Sequence, residues 1–167
     1  FGRLADAVHA EGSAFGVQIA HAGRKSMLDG EIVAPSAIPF APGRVVPRAL
    51  SSDDVQRLVD AFAASATRAA RAGVDVVEIH GAHGYLVHQF LSPISNHRTD
   101  VYGDPHRFAF EVVSAVKAAL PASVALWFRV SAREYQPGGY VEGYLDSLLP
   151  RLVQAGVDTF DVSTGGN

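Results

Sequence analysis

Four short runs along the chain, 16–20, 74–79, 124–130 and 157–162, are mostly continuous stretches of apolar residues rather than alternating ones. Uninterrupted apolar runs of this length fit parallel strands covered on both faces. Between them the apolar positions recur with the helical period. Ser51-Ser52-Asp53-Asp54 forms an N-cap cluster with acids in the first turn, after which Val55, Leu58, Val59, Phe62, Ala63 and Ala66 share one face. Gly73 closes that pattern. A second pattern runs from Phe108 through Val112, Val113 and Val116 to Leu120, where Pro121 prevents continuation. A third carries Leu145, Leu148, Leu149, Leu152 and Val153 and ends at Gly156. Pro150 lies inside it and costs on the order of 3 kcal/mol there unless the helix kinks or begins late. Leu4 to Ala10 reads as the tail of one more helix.

The predicted order is αβαβαβαβ. The phrases Arg71-Ala72-Gly73-Val74-Asp75 and Gln154-Ala155-Gly156-Val157-Asp158 introduce two of the strands in the same way, as a repeated βα unit does. Such units build either a TIM-type (β/α)8 barrel or an open doubly wound sheet. Both fold types place their sites at the C-terminal ends of the strands. Gln18, His80, Arg129 and Ser163 all fall within or at the ends of strand runs. The Pro- and Gly-rich stretch 27–50 is long for a connection, as lids and covering loops are, and is expected on that same face.

Composition narrows the chemistry. The 167 residues are nearly half apolar and carry a formal charge of −3, with no run of Lys or Arg, so nucleic acid and anionic membranes are not expected partners. There is no Cys, which excludes disulfides, thiolate metal sites and thiol nucleophiles. No apolar run approaches the roughly 20 residues of a spanning helix, and Phe1-Gly2-Arg3-Leu4-Ala5 has no signal-peptide layout. A cytoplasmic protein is the expectation. The chain reads as cut at both ends.

The densest chemistry lies in Glu78-Ile79-His80-Gly81-Ala82-His83-Gly84-Tyr85-Leu86-Val87-His88. A strand ending at His80, with glycines that permit a tight turn, brings His83 and Tyr85 above it. Two neutral imidazoles can each donate an N–H to one carbonyl or nitro oxygen, and a phenol of pKa about 10 can deliver a proton late. Competing readings are a satisfied loop histidine and a metal site made by His80, His83 and His88, as in a metal-dependent barrel hydrolase. Gln18 looks like a buried amide that needs partners. A planar heterocycle with imide and carbonyl edges would supply them. Arg129 on a core strand must face an anion or acceptor, or else pair internally with Asp161 or Glu78.

Several long motifs occur in order: Gly16-Val17-Gln18-Ile19-Ala20-His21-Ala22-Gly23-Arg24-Lys25, then 76–86, Gln89-Phe90-Leu91-Ser92-Pro93, Asn96-His97-Arg98-Thr99-Asp100-Val101-Tyr102-Gly103, and Arg129-Val130-Ser131-Ala132. Together they resemble the old yellow enzyme family, especially its bacterial branch, over nearly the whole chain. The resemblance implies a TIM barrel, about half of which is present here, that binds FMN, takes electrons from NADPH or NADH, and passes hydride to an activated alkene such as an enone. By position, Gln18 and Arg129 would meet the flavin's pyrimidine edge, His80 and His83 would hold the substrate oxygen, and Tyr85 would donate the proton. Glu78, His21, Arg24 and Lys25 match without an individual role. One departure is a shortened loop, where Asp104-Pro105-His106 leads directly to Arg107-Phe108. A half barrel alone is expected to expose an inward layer of Val, Ile and Phe and so to associate with another copy or its missing half. A non-catalytic remnant of the fold is the remaining alternative.

Overall fold

A computed structural model describes residues 1–166. Its main sheet has four parallel strands, β1 (Gly16–Ile19), β4 (Val76–Gly81), β5 (Ala125–Ser131) and β6 (Thr159–Ser163), hydrogen-bonded in that order. A two-stranded parallel sheet, β2 (Val33–Ala34) and β3 (Arg48–Ala49), lies in the connection between β1 and β4. The helices are α1 (Gly2–Ala10), α2 (Ser52–Arg71), α3 (Leu86–Leu91), α4 (Arg107–Ala119) and α5 (Leu149–Gln154).

Local chemistry sets the helix boundaries. Ser51 accepts from the Asp54 N–H while the Asp54 carboxylate accepts from the Ser51 N–H, a capping box that starts α2 where the acidic cluster predicts it. The helix expected from Leu145 instead begins at Leu149, with Pro150 in its first turn, where a missing N–H and a fixed φ cost nothing. The β4, β5 and β6 runs sit one or two residues later than the apolar pattern alone places them. α3 was not foreseen. All six of its residues are buried, so it has no polar face to create a periodic signal.

Strand pleating separates two sets of side chains. Val77, Ile79, Leu126, Phe128 and Val130 share one buried cluster with Val59, Phe62, Phe108, Val112 and Leu152 from α2, α4 and α5. Phe62 meets Phe108 edge-on at 6.5 Å, joining α2 to α4. The opposite face carries Gln18, Glu78, His80, Trp127, Arg129, Thr159 and Asp161, and Trp127 is 36% exposed there. Helices therefore cover one face only, the arrangement of a barrel arc rather than of a doubly wound sheet. The expected inward layer of Val, Ile and Phe is corrected by this: those residues face the helices, and the uncovered face is largely polar. Gln18 is corrected too. It lies on that uncovered face and is exposed, because β1 has a neighbour on one side only.

Candidate functional site

The C-terminal end of β4 delivers His80, and the chain then turns sharply through His83 at φ 57° and Gly84 at φ 70°. A Cβ on Gly84 would lie 2.1 Å from the Gly166 carbonyl oxygen and 2.9 Å from the Lys25 amine, so only glycine fits. Gly84→Ala is expected to cost about 1–2 kcal/mol for the left-handed backbone alone, and more for the clash; a thermal melt that stays unchanged would contradict the geometry. Tyr85 follows as the residue before α3. The His80 ring lies 5.2 Å from that of His83 and 4.8 Å from that of Tyr85, so the three predicted side chains do converge.

His80 is buried, and among the described residues its Nδ1 has no hydrogen-bond partner. Burial, followed by the charges of His83, Arg129 and His88, pushes its pKa down to about 4, with Asp161 opposing. His83 is lowered as well, mainly by desolvation and then by Arg129. Both imidazoles are therefore neutral donors at neutral pH.

Cross-strand partners hold this turn. The His83 N–H donates to Ser131 Oγ at 3.1 Å, and Ser131 donates onward to the Gly165 carbonyl at 2.7 Å. The His83 Nε2 lies 2.7 Å from Ser163 Oγ. Lys25 donates to the His83 and Gly166 carbonyls at 2.7 and 2.5 Å, and its amine lies 4.5 Å above the Phe40 ring. The stretch 27–50, expected on this face, approaches the strand end through Phe40, which packs against the Lys25 amine. Arg98 anchors its base, donating to the carbonyls of Pro35 and Leu50.

His88 does not join the other histidines. Its Nδ1 accepts the Gly84 N–H at 2.9 Å and its Nε2 meets the buried Glu134 carboxylate at 3.1 Å, so both ring nitrogens are engaged. The trio considered for a metal cannot close on one ion, and among the described residues no group of three or more His, Asp or Glu is placed to hold one. Arg129 is at register with His80 and Asp161, and its Nε lies 3.5 Å from Asp161 Oδ2. Glu78, the other carboxylate considered for that pair, instead accepts from the Gln18 amide at 2.5 Å. Ser131, Ser163, Lys25, His88 and Glu134 carry the site's support; of these, Lys25 and Ser131 lie in the matching motifs, Ser163 stands out only as a polar strand end and His88 only by its spacing, and no local pattern marks Glu134.

Residues 1–143 match the family described as NADH:flavin oxidoreductase / NADH oxidase. The chain belongs to this family. It is 44% identical over 166 residues to an NADPH dehydrogenase of Geobacillus sp. (strain WCH70), covering 97% of this chain and 48% of the relative. An NADPH dehydrogenase of Listeria innocua is 46% identical over 171 residues, covering 98% of this chain and 49% of the relative. Among solved structures, morphinone reductase in complex with tetrahydroNAD superposes with a TM-score of 0.85 at 30% identity, covering 96% of this chain and 52% of that one. The family's structural neighbours are TIM-barrel flavoenzymes, so the four-stranded sheet is an arc of such a barrel. The chain spans about half the length of the curated relatives it matches. No helix among the described residues is long and apolar enough to cross a membrane.

Proposed function

We propose that this chain supplies the substrate-activating part of an FMN-dependent NAD(P)H oxidoreductase of ene-reductase type, acting on small activated alkenes such as enones in the cytoplasm. The observation that carries the reading is the neutral pair His80 and His83 beside Tyr85, with the buried His80 Nδ1 left without a partner. A buried unsatisfied ring nitrogen is costly, and a ligand oxygen there would relieve it.

The residues fit a flavin's polar edge. Gln18 and Glu78 line a cavity of about 410 Å³ with Gly16, Val76 and Trp127 on the uncovered face of the sheet. One rung further along that face stands Arg129. Gln18 would meet the pyrimidine edge through its amide, and Arg129 would place a cation where negative charge collects on reduction. When bound, FMN supplies the hydride chemistry. This chain's residues do the rest: His80 and His83 donate to the substrate's carbonyl oxygen and stabilise the charge that develops there, and the Tyr85 hydroxyl supplies the proton.

In the full-length protein, Tyr85→Phe is expected to leave flavin reduction by the nicotinamide intact while slowing reoxidation by an enone about 10²-fold or more, the scale of a lost general acid. Rapid-mixing absorbance of the two half-reactions measures both. An unchanged enone half-reaction would remove Tyr85 from the mechanism.

A further inference from the structure

The two serines that hold His83 are register partners on adjacent strands, Ser131 at the end of β5 and Ser163 at the end of β6. Their contacts divide the labour. Ser131 takes the His83 backbone N–H and spends its own proton on the Gly165 carbonyl. Ser163 reaches the ring, with its Oγ 2.7 Å from Nε2. We propose that Ser163 is a positioning residue that sets the tautomer of His83 by donating its hydroxyl proton to Nε2, leaving the ring proton on Nδ1 for the ligand.

Two arrangements fit a contact of 2.7 Å. In one, His83 keeps its proton on Nε2 and donates it to Ser163, whose own hydroxyl proton must then find another acceptor. In the other, Ser163 donates to an unprotonated Nε2, and the neutral ring carries its proton on Nδ1. Among the described residues Ser163 Oγ has no hydrogen-bond partner besides His83, so within the protein only the second arrangement uses the hydroxyl proton. A third state, the doubly protonated ring, is opposed by the nearby cations Arg129 and Lys25 and by partial burial. The partner of one ring nitrogen decides what the other can do. With Nε2 occupied as an acceptor, Nδ1 is the nitrogen that donates.

This inference rests on the reading of His83 as a substrate donor, but its primary test does not depend on turnover. The full-length protein is labelled with 15N in the histidine rings, and the His83 signals are assigned by difference with His83→Asn. At neutral pH, long-range proton–nitrogen spectra should show a protonated Nδ1 and an unprotonated Nε2. Ser163→Ala should move the ring toward the Nε2–H form, and Ser163→Thr, which keeps the hydroxyl on a strand-favouring residue, should restore the original pattern. Enone-dependent reoxidation should slow about tenfold or more in Ser163→Ala, the scale at which outer-shell hydrogen-bond partners act, and recover in Ser163→Thr. A protonated Nε2 in the unmodified protein overturns the proposal, as does a tautomer indifferent to Ser163→Ala. If His83→Ala left enone reduction untouched while Ser163 still governed the tautomer, the function reading would fail and the tautomer assignment would stand.

Discussion

Replacing His80 and His83 together by alanine in the full-length protein is expected to slow enone-dependent flavin reoxidation by at least 10³-fold, with nicotinamide-dependent reduction nearly unchanged. Removing one preorganised donor from a developing oxyanion costs roughly 3 kcal/mol, and here both donors go. The size of the effect follows from the environment. Burial and neighbouring cations keep both rings neutral, so each offers one N–H without competing for charge. His80 is the more buried, and among the described residues its Nδ1 has no partner, so that nitrogen is not spent on the fold. The two single replacements should not sum to the double, because a lone remaining donor acts on the same oxygen. Stopped-flow absorbance of pre-reduced enzyme mixed with an enone decides the matter. A double variant that turns over the alkene at the original rate would mean that the histidines serve the fold alone.

What the sequence reveals of this site depends on whether the signal is local. His80, His83 and Tyr85 lie within a few residues of one another at a strand end, so motif and strand position together place them, and their rings do meet. Arg129 was open between ligand and ion pair. The register that sets it beside Asp161 joins two strands far apart in sequence, and no local pattern carries that information. The same holds for Ser163, which meets His83 only because β6 lies two strands from β4. Gln18 misled for a different reason. An amide within an apolar run reads as buried, but burial depends on what covers each face, and only the helix face of this sheet is covered. Likewise, the continuous apolar runs read as strands covered on both faces, whereas in this chain helices cover one face of the sheet and leave the other open. His88 looked like a third ligand by spacing, whereas its place on α3 turns it toward Gly84 and the buried Glu134.

The chain of 167 residues, taken alone, is expected to bind FMN weakly or not at all and to associate with itself. In barrels of this type the flavin phosphate is anchored by the loops after the seventh and eighth strands and by a short helix N-terminus, and this chain forms four main-sheet strands. The contacts proposed for a flavin's pyrimidine edge are Gln18, which is already hydrogen-bonded to Glu78, and Arg129, whose Nε sits 3.5 Å from Asp161 and, among the described residues, makes no hydrogen bond. Binding must displace the Glu78 partner of Gln18 and compete with Asp161 for Arg129, without the phosphate's contribution. Association follows from the sheet itself. β1 and β6 each have one open edge whose N–H and C=O groups can pair with another strand, and Val162 on β6 is 63% exposed on the face where a further helix would pack. The uncovered polar face with Trp127 adds area but little selectivity, so edge pairing should dominate, and association should weaken only slightly with added salt. Titration of the purified chain with FMN, followed by flavin fluorescence, and size-exclusion chromatography of the same sample test both halves. Tight stoichiometric binding by a monodisperse monomer would show that edge contacts alone hold the cofactor and that the open strand edges are inert.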